Sequence, residues 1–163
     1  MKKKTSAKDV KVCLISSSGG HYEQLKMLKK LGNKYSVYVV TEKTEYDTGA
    51  DYYLIPPSKI TGKLRKLDGN LRFFGNIFAS LRHLMKEKPD VVISTGTRVA
   101  VPTIFWAHLF GKKVVYIETF ARVKDGTRAA KIVYKHHWYD LFLYQWEPLA
   151  ELYPDGVYGG GIY

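Results

Sequence analysis

The sequence predicts an α/β protein with a doubly wound, Rossmann-like parallel sheet. Short apolar runs rich in valine and isoleucine alternate with stretches whose large apolar residues recur at helical spacing. No two neighbouring strand-like runs are joined by a hairpin turn, so consecutive strands need crossover connections. The length of 163 residues fits one domain with its own core. We therefore expect a single domain over 1–163, with a flexible basic tail over 1–10.

The first part of the chain predicts three strands and one helix. The apolar run at 11–16 predicts a buried strand, and leucines at helical spacing predict a helix over 21–31, followed by a glycine. Valines and tyrosines predict strands at 35–41 and 52–55, the second of which is stopped by two prolines. The polar stretch 42–51 predicts a connection between them.

A basic loop followed by an amphipathic helix is predicted in the middle of the chain. Residues 58–69 form the loop, and residues 70–86 predict a helix with one broad apolar face. Basic charge beside apolar side chains is typical of an interfacial membrane element, whereas packing of the stripe on the sheet is the alternative. We expect the stripe to be mostly core, so that membrane contact falls to Phe73, the start of the helix and the loop. The basic residues of the loop are Lys59, Lys63, Arg65 and Lys66.

The remaining part predicts three more strands and two more helices. The run at 91–94 is apolar without alternation, as expected of a strand inside a parallel sheet. A helix is predicted over 99–110, with its proline in the first turn. A strand at 114–118, a short helix at 127–134 and a strand at 141–144 follow. A last helical turn then leads to a glycine-rich tail.

The turn after the first strand carries the sequence Ser-Ser-Ser-Gly-Gly-His. Its glycines allow a sharp bend and close approach of the backbone to a ligand. The N-terminus of the following helix presents free amides and the positive end of its dipole, which suits a phosphate. His21 lies at the edge of this turn as a candidate general base, although a structural turn with a capping histidine remains the alternative. The candidate phosphate-binding residues are Ser17, Ser18, Gly19 and Gly20.

A second strand-to-helix turn follows the fourth strand at 95–98. Parallel strands place their carboxyl ends at one edge of the sheet, and ligands bind beyond that edge. We therefore expect the two turns to share one cleft. Gly96, Thr97 and Arg98 would form its opposing wall, with Arg98 as a charged donor to phosphate.

The formal net charge of +11 points to a polyanion, an anionic membrane or acidic ligands, with a solvated basic surface as the plain alternative. No recognition-helix, zinc or RNA-binding signature is present, so we expect no nucleic acid. We expect no cofactor and no metal: the sequence has no Asp-x-Asp metal motif, and the adjacent His136 and His137 favour surface packing over metal binding. The single cysteine, Cys13, excludes an intramolecular disulfide and fits a reducing, cytoplasmic compartment.

Taken together, these segments resemble the PssD-type capsular and exopolysaccharide biosynthesis proteins of bacteria. Those proteins are similar to the membrane-anchoring subunit of the eukaryotic two-subunit transferase that adds the second GlcNAc to a dolichol-linked sugar. The match is collinear and covers nearly the whole chain. The matching residues are 17–21, 88–96, 99–102, 116–118, Arg122, 140–147, 153–154 and 158–160.

The resemblance implies the N-terminal half of a GT-B glycosyltransferase, which faces a lipid-linked acceptor while a partner subunit supplies the donor site. On this interpretation Gly19 and Gly20 cradle the acceptor diphosphate, and His21 is the general base for the acceptor hydroxyl. Glu118, at the end of the fifth strand, either orients His21 or a sugar hydroxyl, or simply caps the strand.

The implied function is that of a peripheral subunit at the inner face of the cell membrane. It would help transfer a sugar from a UDP-sugar to a polyprenyl-diphosphate-linked acceptor in capsule or exopolysaccharide synthesis, and would be inactive alone. One alternative is a non-catalytic scaffold that recruits and activates a partner glycosyltransferase. A weaker alternative is a basic nucleic-acid-binding protein, which would bind DNA or RNA in a salt-sensitive way without a partner.

Overall fold

A computed structural model describes residues 7–46 and 48–162. Within these ranges, seven parallel strands form one sheet flanked by helices. The strands are β1 (Lys11–Ile15), β2 (Ser36–Glu42), β3 (Tyr52–Leu54), β4 (Val91–Ser94), β5 (Lys113–Ile117), β6 (Leu141–Tyr144) and β7 (Val157–Tyr158). The α-helices are α1 (Gly20–Met27), α2 (Arg65–Glu87), α3 (Val101–Leu109) and α4 (Arg128–Lys135). Short 3₁₀ segments cover Ala7–Asp9, Leu28–Asn33, Arg98–Ala100 and Glu147–Ala150.

The strand order, β3-β2-β1-β4-β5-β6-β7, confirms the predicted doubly wound parallel sheet. The chain builds outward from β1 to β3 and then returns to the other side of β1 with β4. The direction of winding therefore reverses between β1 and β4, and crevices at such switch points are where ligands bind in this class of fold. β1 is fully buried along Cys13, Leu14 and Ile15, so the turn that follows it rests on a rigid strand.

Two parts of the chain are more regular than we expected. The glycine-rich tail contains β7, which pairs in parallel with β6, and the amide of Gly159 donates to the carbonyl of Tyr144 at 3.0 Å. At the other end, Ala7–Asp9 form a 3₁₀ turn within the stretch that we predicted as a flexible tail. Residues 1–6 of that predicted tail lie outside the described residues.

The prediction for α2 is wrong in two respects. The helix begins at Arg65, so the end of the predicted basic loop is already helical. Its apolar stripe is not mostly core: Leu84 is buried, but six large apolar side chains point away from the sheet and are 59% to 71% exposed. We call them the apolar ridge: Leu64, Leu67, Leu71, Phe74, Phe78 and Met85.

The face of α2 that packs inward, against α3 and the end of β3, is largely polar, which explains why the apolar side chains lie outside. The side-chain amide of Asn76 donates to the carbonyl of Ile55 at 2.9 Å and accepts from its amide at 2.7 Å. Ser80 accepts a hydrogen bond from Thr103 at 2.8 Å, and the hydroxyl of Thr103 in turn lies 3.3 Å from Nε2 of the buried His83. Because these polar groups find partners on the protein, they pack inward at little cost, and the apolar side chains are left outside.

His83 makes the stability of the fold depend on pH. Burial lowers the pKa of His83 from 6.5 to about 4, and the negative charge of Glu87 opposes this shift only in part. Between these values the unfolded chain binds a proton that the folded chain does not, so stability is full above about pH 6.5 and falls as the pH drops toward 4. From pH 7 to pH 5 we expect His83 to lower the free energy of unfolding by about 2 kcal/mol.

Urea unfolding at several pH values measures this effect on the wild type, on His83→Gln and on His108→Gln, a substitution at an exposed histidine. The loss between pH 7 and pH 5 should shrink in His83→Gln and persist in His108→Gln. Parallel pH profiles for the wild type and His83→Gln would contradict the assignment.

Candidate functional site

The turn after β1 leaves an open space in front of α1. Gly19 has φ 75° and ψ −145°, a conformation that residues with a side chain rarely adopt. Its carbonyl accepts from the amides of Tyr22 at 2.9 Å and Glu23 at 3.1 Å. The amides of Gly20 and His21 have no hydrogen-bond partner within residues 7–46 and 48–162. A Cβ atom added at Gly20 would meet nothing within 4 Å, so a ligand can approach these amides.

The turn after β4 is strained. Gly96 has φ 95°, and the next residue, Thr97, has φ 146° and ψ −175°, a region that is otherwise almost restricted to glycine. Such a conformation costs about 1–3 kcal/mol and is found mostly at ligand-binding and catalytic turns. The hydroxyl of Thr97 is buried and has no hydrogen-bond partner among the described residues. The turn therefore holds a buried hydroxyl whose hydrogen-bonding capacity is unused among the described residues.

The two turns meet at His21, as we predicted. Nδ1 of His21 lies 2.9 Å from the carbonyl oxygen of Thr95, and the hydroxyl of Thr95 donates to the carbonyl of His21 at 2.9 Å. A Cβ atom at Gly96 would lie 3.5 Å from Nδ1 of His21 and 3.3 Å from the hydroxyl of Tyr116. Glycine at position 96 therefore allows the second turn to lie directly against the imidazole ring.

The contact with Thr95 determines which ring nitrogen of His21 carries the proton. A carbonyl oxygen can only accept a hydrogen bond, so Nδ1 of the neutral ring is the donor. Nε2 is then left with its lone pair. An imidazole held in this tautomer is suited to take a proton from a hydroxyl group.

A pocket of about 320 Å³ opens next to the second turn, between the ends of β2 and β3 and the first turns of α2. Ile55, Pro56 and Phe73 supply apolar surface, and Asn76 holds the backbone of Ile55 in place. The pocket also contains three arginines, the side chains best suited to bind phosphate oxygens. They are Arg65, Arg72 and Arg98.

Two of these arginines are held by neighbouring groups. Nε of Arg72 donates to Asp68 at 2.7 Å, and its NH1 group donates to the carbonyl of Pro56 at 3.3 Å. The guanidinium of Arg98 lies over the ring of Phe73, 5.4 Å from its centroid. Such contacts restrict the side chains before a ligand arrives, which lowers the entropy cost of binding.

The pocket is lined by residues from two sets that the sequence analysis assigned to different roles, phosphate binding and membrane contact. Ser17, Thr97 and Arg98 belong to the predicted phosphate-binding set, whereas Arg65 and Phe73, which also line the pocket, belong to the set predicted to contact the membrane. The other predicted phosphate-binding residues, together with His21, lie in the two turns beside the pocket: Ser18, Gly19, Gly20 and Gly96. The remaining predicted membrane residues, Lys59, Lys63 and Lys66, are exposed and lie outside it.

Sequence reasoning missed Glu42, which we had assigned to a polar connection. Glu42 is the last residue of β2, is buried and lines the pocket. Its position at the carboxyl end of β2 was a usable signal, because β2 lies beside β1, one of the two strands at the switch point.

The expectation that Glu118 orients His21 is wrong. Glu118 is fully buried, and its carboxylate accepts hydrogen bonds from the amides of Thr119 (2.8 Å) and Thr127 (2.9 Å) and from the hydroxyl of Tyr153 (3.1 Å). These donors hold the loop after β5 in place. These contacts are those of the strand-end alternative, and the carbonyl of Thr95 takes the orienting role toward His21. A role of Glu118 toward a sugar hydroxyl stays a prediction.

Three further findings concern the described residues. They contain no group of three or more His, Cys, Asp or Glu side chains placed to hold a metal ion. None of the helices formed by residues 7–46 and 48–162 has both the length and the apolar character needed to cross a membrane. His136 stacks on Trp138, with 4.9 Å between the ring centroids, which is the surface packing that we favoured for it.

Comparison with known proteins identifies the family. The family model "Oligosaccharide biosynthesis protein Alg14 like" matches residues 67–162. The chain is 30% identical over 190 residues to the UDP-N-acetylglucosamine transferase subunit ALG14 of Mus musculus, covering 97% of this chain and 85% of that protein. The chain belongs to the Alg14-like family. The Homo sapiens protein of the same name is 30% identical over 186 residues, with the same coverage of each chain.

Solved structures share the fold of this Alg14-like chain. Acinetobacter baumannii MurG superposes with a TM-score of 0.67 at 19% identity, over 85% of this chain and 42% of MurG. The UDP-GlcNAc 2-epimerase of Methanocaldococcus jannaschii superposes with a TM-score of 0.67 at 16% identity, over 90% of this chain and 42% of the epimerase. The Alg14-like chain thus spans about two fifths of each protein and has the Rossmann-like fold found in one part of them.

Proposed function

We propose that this chain is the acceptor-binding, membrane-associating subunit of a two-component glycosyltransferase. The enzyme transfers a sugar from a UDP-sugar to a polyprenyl-diphosphate-linked acceptor, in capsule or exopolysaccharide synthesis. The curated relatives are named as subunits of a UDP-N-acetylglucosamine transferase, and this chain covers 85% of the two mammalian ones. A separate donor-binding subunit is therefore the expected partner, and UDP-GlcNAc is the first donor to test.

The observation that carries the proposal is the arginine pocket beside His21. A diphosphate in the pocket would be bound by Arg65, Arg72 and Arg98. The sugar attached to it would then extend over the Gly19–Gly20 turn, where the free amides of α1 are exposed. Its hydroxyl would reach Nε2 of His21, which removes the proton as the hydroxyl attacks the donor sugar. The bond from the donor sugar to UDP breaks in the same step, so UDP is the leaving group and remains in the donor site of the partner subunit.

The apolar ridge supports the membrane part of the proposal. Six exposed large apolar side chains along one helix face mark a docking surface. The exposed basic residues Lys63, Lys66 and Arg82 accompany the ridge, a combination that suits an anionic lipid surface. The acids of α2 add little free negative charge, because Asp68 is paired with Arg72, and Glu87 with Lys11. We therefore propose that α2 lies in the cytoplasmic membrane interface, beside the mouth of the pocket.

Sugar transfer by the isolated chain and by its complex tests the function. We expect the affinity-purified native complex to transfer sugar from a UDP-sugar to polyprenyl-diphosphate-linked N-acetylglucosamine. The chain purified alone should transfer none, because it contributes only the acceptor side. Labelled lipid-linked product is counted with UDP-GlcNAc, UDP-glucose and UDP-galactose as donors. Robust turnover by the isolated chain would refute the two-subunit proposal, and an inactive complex with all three donors would refute the transferase proposal.

A further inference from the structure

Glu42 joins the end of β2 to the turn after β1. Its Oε1 atom accepts hydrogen bonds from the amide of Ser18 at 3.1 Å and from the hydroxyl of Ser18 at 2.6 Å. Its neighbour Lys43 continues the ladder to β3 by donating to the carbonyl of Leu54 at 2.9 Å. The carboxylate is thus held in one position at the wall of the pocket, and the side chain is only 7% exposed.

The second carboxylate oxygen of Glu42 remains available. Within residues 7–46 and 48–162, Oε2 has no hydrogen-bond partner, and no lysine or arginine is within ion-pair distance of the carboxylate. This oxygen is not fully enclosed, and because Glu42 lines the pocket, a bound ligand that donates a hydrogen bond can reach it there and replace water. The donor has to come from a neutral part of the ligand, because a phosphate oxygen is itself a negatively charged acceptor.

The pocket therefore offers two kinds of recognition side by side. Arg65, Arg72 and Arg98 suit an anion, whereas Glu42 suits a hydroxyl or an amide N–H. The unpaired hydroxyl of Thr97 adds a further polar contact on the facing wall. A glycosyl diphosphate carries both features on adjacent groups. A diphosphate without a sugar carries only the first.

We propose that Glu42 is a specificity residue, whose carboxylate accepts a hydrogen bond from the acceptor sugar next to the diphosphate. This inference rests on the proposed function and adds to it the residue that distinguishes a sugar-bearing lipid diphosphate from a bare one. Arginine binding of the diphosphate supplies affinity for both ligands. Glu42 supplies the preference for the sugar.

Binding of two matched probes to the full chain tests the proposal. The probes are farnesyl-diphosphate-linked N-acetylglucosamine and farnesyl diphosphate, measured by titration calorimetry against the wild type and Glu42→Gln. Glutamine has the same shape and keeps an oxygen for Ser18, but it presents an NH₂ group where the free carboxylate oxygen stood. We expect the affinity for the sugar-bearing probe to fall about tenfold, since a hydrogen bond to a charged group is lost. The affinity for farnesyl diphosphate should stay level or rise, because a negative charge is removed near the phosphates.

Two further variants keep the test interpretable. Ser18→Ala removes the hydroxyl contact to Glu42 but keeps the contact from the backbone amide and leaves the carboxylate, so both probes should keep their ratio of affinities. Glu42→Asp keeps the charge but withdraws it by one methylene, so it should reduce the preference for the sugar-bearing probe. This variant replaces Glu42→Gln in the test if Glu42→Gln does not fold. In the assembled enzyme, Glu42→Gln should raise the KM for the lipid-linked acceptor and leave the KM for the UDP-sugar unchanged.

Each result has a distinct meaning. An equal loss of affinity for both probes in Glu42→Gln would mean that Glu42 only stabilises the turn after β1, and this would overturn the inference. An unchanged preference would also overturn it, while leaving the proposed function in place. If the wild type binds neither probe, the acceptor site in the proposed function is itself wrong.

Discussion

Replacement of His21 by alanine is expected to lower the turnover of the assembled two-subunit enzyme by about 10²–10⁴-fold, the usual contribution of a general base. The physical reason is the fixed tautomer: Nδ1 donates to the carbonyl of Thr95, which leaves the lone pair of Nε2 for the acceptor hydroxyl. His21→Asn keeps a polar side chain without the base, so it should be nearly as slow. Steady-state rates of sugar transfer with a UDP-sugar and a lipid-linked acceptor measure the effect.

The matched control for this prediction is His136→Ala, which removes an exposed imidazole away from the two turns. It should leave turnover unchanged. Circular dichroism and co-purification with the partner subunit show whether each variant folds and assembles. Near-normal turnover of His21→Ala in an intact complex would favour the non-catalytic scaffold. A loss of activity that follows only from loss of the partner would make His21 an interface residue.

Polar substitution of the apolar ridge is expected to abolish most of the chain's affinity for anionic membranes. The triple variant Leu71→Ser, Phe74→Ser and Phe78→Ser removes three side chains that are each more than half exposed. Each contributes roughly 1–2 kcal/mol on entering the acyl-chain boundary, so the partition constant should fall on the order of 100-fold or more. Sedimentation with mixed phosphatidylcholine–phosphatidylglycerol vesicles measures the partition constant. The fold should survive, because these side chains are not core.

A control that replaces the same number of exposed apolar side chains elsewhere separates binding by the ridge from non-specific apolar binding. Met27, Ile132 and Leu152 are exposed apolar residues on other parts of the chain, and their serine variants should bind vesicles like the wild type. Charge reversal of Lys59, Lys63 and Lys66 should weaken binding by about 1 kcal/mol per residue, and less so in high salt. Wild-type sedimentation of the ridge variant would contradict membrane docking by α2.

Local patterns in the sequence were sufficient for six of the seven described strands, all but β7, and for the meeting of the two turns. The bounds of β4 and β6 agree with the prediction residue for residue, because a short apolar run between polar segments has few other structures available. The turns after β1 and β4 meet at His21, because parallel strands on either side of a switch point place their carboxyl ends side by side. These features depend on periodicity and connectivity, both of which the chain displays locally.

The tertiary structure alone decided which face of α2 is buried and which residues form the pocket. Periodicity separates the two faces of a helix but does not state which one packs, and here Asn76, Ser80 and His83 find hydrogen-bond partners on the sheet side. The pocket joins Glu42, the start of α2 and Arg98, which are far apart along the chain. The contacts of Glu118 could not be predicted from the local sequence either, because its hydrogen-bond donors come from the loop after β5 and from Tyr153. A side chain's function in this protein follows from the groups that the fold brings against it, and those groups come from distant segments whose contacts no local pattern specifies.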